Sequence, residues 1–261
     1  MSRARRALPR SIAASGLALA LACATSRVPA PSPLPASDPR AAALLGSITR
    51  DAATRRSLRG IARLAVDAPA GSGRATQVLV VERPARLRVE VLGLLDQTLA
   101  LLVTDGARYR LKRSQDLSVE AGPVYEALLR DVAGLGLTPE QAVGVLLGAP
   151  FRADARLERA ALLPGDAVRL DLRRDGSFEH EQLDCDVAGN LQRWALLGAD
   201  GDVMLEALYG DRRPLGSVSF AYQVELRDPR AEASVRVVWS RVELNPVLPP
   251  ELFAVSGEIA P

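Results

Sequence analysis

Apolar residues recur along this chain in two rhythms, and the switches between them divide it into elements. Ala41, Leu44, Leu45, Ile48 and Ala52 fall at helical spacing. Ser37-Asp38-Pro39 supplies a capping residue and a first-turn proline, so the pattern predicts an amphipathic helix over 39–56. The period then drops to two. Leu58, Ile61, Leu64 and Val66 mark a strand with a slip at Gly60, and 76–81, 87–91 and 98–103 mark three more. Asp105-Gly106 is a turn signal ahead of Tyr109 and Leu111. Val124, Leu128 and Val132 return to helical spacing within 123–132. Thr138 and Gln141 form a capping box around Pro139, and Val143, Leu146 and Leu147 give the following helix an apolar face that ends at Pro150. Beyond Phe151, strands are predicted at 166–173, 178–187, 190–198, 203–209, 217–227 and 234–243. Tight turns at Asp175-Gly176, Gly189-Asn190 and Asp200-Gly201 make these an antiparallel meander. A helix, strands, two helices and more strands predict an α+β fold: a large curved antiparallel sheet with helices gathered on one face.

The first residues follow a different logic. A basic start (Arg3, Arg5, Arg6, Arg10) precedes a short apolar run, Ser11 to Ala22, the layout of a secretory signal. The run is too short to span a bilayer, which takes about 20 apolar residues. Ala20-Leu21-Ala22-Cys23 resembles a loose bacterial lipobox, with Ala20 and Leu21 swapped from the favoured order. That resemblance implies a lipid on Cys23; the other reading is an ordinary secreted protein cut near Ala22 or Ala24. Arg27 to Pro39 is rich in Pro, Ala and Ser, a composition that predicts an extended spacer rather than a packed element. The expected organisation is therefore a signal peptide at 1–22, a lipidated tether at 23–37 and one domain at 38–261. By likeness to enterobacterial sorting, Ala24 after the cysteine favours the periplasmic face of the outer membrane over the inner one.

Composition narrows the function. Formal net charge is +2, and the first 22 residues hold four arginines and no acid, which leaves the remainder near −2. That balance does not indicate a nucleic-acid partner. Apolar residues make up 48% of the chain but aromatics only 4%, so the core is built from Leu, Val and Ala. Cys185 is the only cysteine besides Cys23, and its alternating run with Leu183 and Val187 reads as a core position. His180 is the single histidine, in a cluster with Glu179, Glu181, Asp184 and Asp186. Strand alternation splits this cluster between two faces, and no spacing fits a zinc site, so it reads as a solvated polar face. Neither a Gly-x-Ser-x-Gly elbow nor a phosphate-binding glycine loop occurs. The inventory predicts no enzyme, no metal and no cofactor.

Two apolar segments stand where turns should be polar. Val91-Leu92-Gly93-Leu94-Leu95 leads into a hairpin tip before Asp96, and Gly134-Leu135-Gly136-Leu137 links the two central helices. Each is either covered by another element or placed to meet something apolar. Gly144 and Gly148 permit close backbone packing on the second central helix.

These segments, with Leu58-Arg59-Gly60, Thr138-Pro139, Val145-Leu146-Leu147-Gly148-Ala149-Pro150 and the closing Leu248-Pro249-Pro250-Glu251-Leu252-Phe253, resemble the bacterial LolA/LolB lipoprotein carriers. The likeness to LolB, the outer-membrane lipoprotein receptor, is strongest in the first four, and the ending is more LolA-like. The resemblance implies an incomplete, half-open antiparallel β-barrel with an apolar inner face and helices forming a lid. It implies acyl chains of lipoproteins, or lipids, as ligand, a soluble periplasmic LolA-like carrier as donor, and insertion of the cargo into the outer membrane. Leu92 matches the family's membrane-inserting leucine, with Leu94 and Leu95 adjacent. Leu128, Leu135, Leu137, Val143, Leu146 and Leu147 are the expected apolar cavity and lid. Two positions depart from the family pattern: Val91 stands where receptors carry proline, and Gly144 where they carry tryptophan. The competing reading keeps the fold but makes the protein a structural or assembly lipoprotein of the envelope, without lipid cargo.

Overall fold

The computed structural model describes residues 30–35, 38–116, 119–152 and 154–255. The signal-like segment and Cys23 lie outside the described residues. Fourteen strands among the described residues form one antiparallel sheet. The chain enters through β1 (Ser32–Leu34) and α1 (Pro39–Thr54). A first meander follows: β2 (Ser57–Ala68), β3 (Gly71–Glu82), β4 (Arg86–Leu92), β5 (Thr98–Thr104), β6 (Arg108–Arg113) and β7 (Val119–Pro123). Two short helices interrupt, α2 (Leu128–Ala133) and α3 (Pro139–Leu146). The second meander is β8 (Arg156–Leu162), β9 (Val168–Arg173), β10 (His180–Cys185), β11 (Leu191–Leu197), β12 (Val203–Leu215), β13 (Val218–Asp228) and β14 (Ala233–Leu244).

The order across the sheet is β1-β8-β9-β10-β11-β12-β13-β14-β2-β3-β4-β5-β6-β7. The two meanders are thus welded where β14 pairs β2, from Ser234 opposite Asp67 to Leu244 opposite Leu58. β1 and β7, at the two ends, are not paired with each other, so the sheet curves without closing. The predicted half-open antiparallel barrel with a helical lid is the fold observed.

Local chemistry explains the slip at Gly60. A Cβ there would lie 2.5 Å from the Arg241 carbonyl oxygen and 2.8 Å from the Trp239 ring. The register between β14 and β2 shifts between Trp239 and Arg241. The extra residue of this bulge pushes the indole across the neighbouring strand, and only glycine leaves room for it.

Three segments differ from the pattern's prediction. The first central helix begins at Leu128, not Pro123, because Val119–Pro123 pairs with β6 instead. β8 escapes the period-two test because a bulge between Leu157 and Arg159 breaks its alternation. Within the expected spacer at 23–37, the described residues hold a strand. Ser32, Pro33 and Leu34 pair with Leu162, Ala161 and Ala160 of β8, and Leu34 packs against the core. Proline is tolerated there because β1 is an edge strand.

The acidic cluster of β10 divides as alternation requires. Glu181, Leu183 and Cys185 are buried, and burial pushes the Cys185 thiol up to about 12. Asp184, on the other face, is buried as well at 8% exposure, so the cluster is not the solvated face expected of it. Asp184 is held in a run of ion pairs across six strands, Arg169–Asp184–Arg193–Glu206–Arg227–Glu225–Arg236. Among the described residues no group of three His, Cys, Asp or Glu side chains converges as metal ligands would.

Candidate functional site

The inner face of the first meander, together with β13, β14 and the lid, encloses a hollow of about 720 Å³. Its wall is aliphatic. Leu79, Val89, Leu102 and Leu111 form one transverse row of cross-strand neighbours on β3 to β6. Leu64 and Val66 of β2, Val224 and Leu226 of β13, and Val235 and Val237 of β14 continue the lining. Alternation puts these side chains on one face, and the missing closure of the barrel leaves space between that face and the helices.

The next row toward the end of the barrel is different. It runs Ala62, Gln77, Val91, Ala100, Arg113. Beyond it the hollow is bordered by Ala70 and Gly71 at the β2–β3 tip and by Arg130 and Asp131 of α2, all exposed. The hollow therefore opens at the end of the barrel that carries the β2–β3 and β4–β5 turns.

The lid is fastened at that end and at its far end. Its first helix stops at Gly134, which adopts a left-handed φ of 74°. The Gly136 N–H donates to Asp228 Oδ2 at 2.9 Å, and a Cβ on Gly136 would meet that oxygen at 2.8 Å. This turn lets Leu135 and Leu137 point inward, where both are buried and line the hollow. Thr138 and Gln141 cap α3 reciprocally: the Gln141 N–H donates to Thr138 Oγ1 at 3.2 Å and the Thr138 N–H to Gln141 Oε1 at 2.8 Å. At the other end of α3, Gly144 lies against Pro150, where a Cβ would come within 2.9 Å of the Pro150 Cα. Arg55 donates to the Leu147 and Gly148 carbonyls at 3.2 and 3.4 Å, and Arg83 to the Ala149 carbonyl at 2.8 Å. Burial lowers the pKa of both guanidiniums.

The two apolar segments of the sequence thus meet opposite fates. Leu135 and Leu137 are covered. The β4–β5 tip is not: Leu94 is 101% exposed and Leu95 88%. The tip is nonetheless ordered by its own bonds. The Gly93 N–H donates to the Gln97 carbonyl at 2.8 Å, Asp96 N–H to the Gly93 carbonyl at 3.2 Å, and Leu95 N–H to Gln97 Oε1 at 2.9 Å. Asp96 takes a left-handed φ of 57°. Leu92 does not protrude; it is half-buried at the end of β4, opposite Thr76. Exposed Arg63 and Arg74 flank this tip in a shallow depression shared with Leu92 and Leu94.

Of the expected cavity and lid residues, Leu135, Leu137 and Leu146 line the hollow. Leu128, Val143 and Leu147 are fully buried in the core and do not line it. Ala142 and Val145 of α3 and Leu129 of α2 take their place. The strand residues of the wall, Gln77 among them, were open to the same alternation test in the sequence. Which face of each strand lines a hollow and which faces solvent is decided only once the sheet is curved.

A second cavity of about 590 Å³ lies between α1, α3 and β9–β11. Its lining mixes Leu172 and Phe151 with Arg83, Arg174 and Glu181. Burial pushes the Glu181 carboxyl up to about 7, against the pull of the Arg152 N–H, which donates to its Oε2 at 3.2 Å.

The described residues thus form a half-open antiparallel barrel that holds an apolar hollow beneath a helical lid. No family model matches the sequence, and no curated protein is similar to it. Solved structures are similar in fold. One is a putative outer membrane lipoprotein-sorting protein domain from Vibrio parahaemolyticus, 10% identical, covering 82% of this chain and 97% of its own, with a TM-score of 0.56. A LolA superfamily protein from Nitrosomonas europaea is 12% identical over 82% of this chain and 97% of its own, also at 0.56. A DUF1329 family protein from Desulfovibrio piger is 9% identical over 83% and 96%, at 0.54. The fold is therefore LolA-like.

Proposed function

We propose that this protein is an outer-membrane lipoprotein, anchored through Cys23, that takes acyl chains of lipoproteins or lipids into the hollow and passes them to the membrane. A soluble LolA-like carrier is the fitting donor. The reading rests on one observation: an aliphatic hollow of about 720 Å³ opens at the end of the barrel that also presents Leu94 and Leu95 to solvent. That volume lies within the roughly 300–1,000 Å³ of small-molecule sites. Apart from Gln77 and the Ser72, Arg113, Arg130 and Asp131 side chains, its lining is apolar, which suits flexible hydrocarbon. Affinity then comes from apolar burial at about 25 cal/mol per Å². The reaction is a transfer between apolar environments, so no bond is made or broken and no catalytic group is required.

The short leash fits this role. Nine residues from Cys23 to Pro31 precede β1, and a chain of that length spans at most about 30 Å. A lipid on Cys23 would keep the tip within reach of one membrane, with Arg63 and Arg74 placed to meet anionic headgroups. Native mass spectrometry of the chain from residue 30 onward tests the reading. Co-purifying lipid or acylated peptide is the expected result. A clean apo mass, with no uptake of added fatty acid, would favour a purely structural role in the envelope.

A further inference from the structure

We propose that Gln77 reads the linkage of the bound acyl chain and selects an amide over an ester. The proposal rests on the carrier reading and names its ligand class more closely. Gln77 is 8% exposed and lines the hollow; its Oε1 is shielded from solvent without a hydrogen-bond partner among the described residues, and a half-turn of the carboxamide presents it to a ligand. A buried carboxamide oxygen without a partner is costly, and a leucine there would match the rest of the wall. The side chain is therefore poorly explained by packing alone.

Its position gives it a use. Gln77 lies in the row of Ala62, Val91, Ala100 and Arg113, one step outward from the aliphatic row of Leu79, Val89, Leu102 and Leu111. Acyl carbons seated against the inner row place their first polar atoms at the level of Gln77. Ala62 and Ala100 keep that level uncrowded. Arg113 closes that row, and the charged groups of Arg130 and Asp131 border the hollow where a headgroup or peptide would emerge. A carboxamide both accepts and donates. A secondary amide in the ligand offers an N–H that the Gln77 oxygen accepts; its C=O points the opposite way, so the N–H alone sets the amide apart from an ester. An ester offers only acceptors and leaves the Gln77 oxygen unpaired. The ligand class is thus an N-acylated amine, borne by a protein N terminus or by a lipid.

The test uses two probes that differ at one group, N-methyldodecanamide and methyl dodecanoate. Each is titrated against a fluorescent fatty-acid analogue bound to the purified full chain, in wild type and in Gln77→Leu and Gln77→Met. A net hydrogen bond corresponds to a change of about tenfold in affinity. The amide-to-ester affinity ratio should therefore fall about tenfold in both variants, while ester binding holds or improves. Both substitutions remove an unpaired polar group, so thermal stability should not drop. Displacement by both probes with an unchanged ratio would overturn the assignment of Gln77 and leave the carrier reading standing. Displacement by neither probe would overturn the carrier reading and the assignment with it. N-dodecanoyl-triglycine and N-dodecanoylethanolamine both carry the amide; the stronger competitor identifies a peptide or a lipid as its natural bearer.

Discussion

Single residues in this protein are constrained by what lies one strand away. Gly60 is held by the bulge in β14, where the Trp239 ring and the Arg241 carbonyl occupy the space of a side chain. Gly60→Ala should destabilise the protein by roughly 1–3 kcal/mol, the usual cost of overpacking, read as a lower urea midpoint. Glu181 shows the opposite economy, a polar group kept where water is scarce. Arg152, Asp154 and Glu179 are the charged groups that bear on it besides its own desolvation. Its folded pKa of about 7 exceeds the ordinary 4.5, so the folded state retains a proton that the unfolded state releases. Stability should fall as pH rises through that window and the penalty should be complete above it. Glu181→Gln should therefore gain more stability at pH 8 than at pH 4, by roughly 1–3 kcal/mol. Equal gains at both pH values in chemical denaturation would show that the carboxyl titrates normally.

At the scale of elements, the β4–β5 hairpin carries the most specific expectation. Its tip is built by backbone bonds and by Gln97, none of which involves the side chains of Leu94 or Leu95. Moving a leucine from water into an apolar phase is worth roughly 1.5–3 kcal/mol, so the pair can contribute appreciable membrane affinity. Replacing both by glutamate should leave the far-ultraviolet spectrum and melting temperature within error. Transfer of an acylated cargo from the protein to phospholipid vesicles should slow at least tenfold. Transfer at the wild-type rate would show that the tip does not enter the bilayer. The link between α2 and α3 is apolar for a different reason: Leu135 and Leu137 are part of the lining itself.

For the whole molecule, the question is whether the lid must move. Gly134 meets the β2–β3 hairpin near the mouth, and a Cβ built on it would lie 3.7 Å from the Ala68 Cβ. That separation is within the roughly 3.5–4.5 Å of disulfide geometry. An Ala68→Cys, Gly134→Cys pair should therefore bridge α2 to β2 when oxidised, at the cost of holding a cysteine in the left-handed conformation of Gly134. The oxidised protein should take up a fluorescent fatty acid far more slowly than the reduced one, with wild-type rates restored by dithiothreitol. Equal rates in both states would mean that ligands enter without displacing this end of the lid.

Much of this architecture is written in local pattern. The period-two runs of β2 to β5, the Thr138–Gln141 capping box and the Asp-Gly turns are properties of neighbouring residues, so the sequence alone determined a strand-rich chain with two central helices. The same holds for the absence of a Gly-x-Ser-x-Gly elbow, since that is a matter of residue order. The tertiary structure decided what pattern cannot carry. Val119–Pro123 and Ser32–Leu34 became strands only because β6 and β8 offered free edges to pair with. Leu94 and Leu135 are both leucines in glycine-containing turns, yet one is solvated and the other buried. The difference lies in which elements, distant in sequence, fold back over each turn, and in the curvature that leaves space on one face of the sheet.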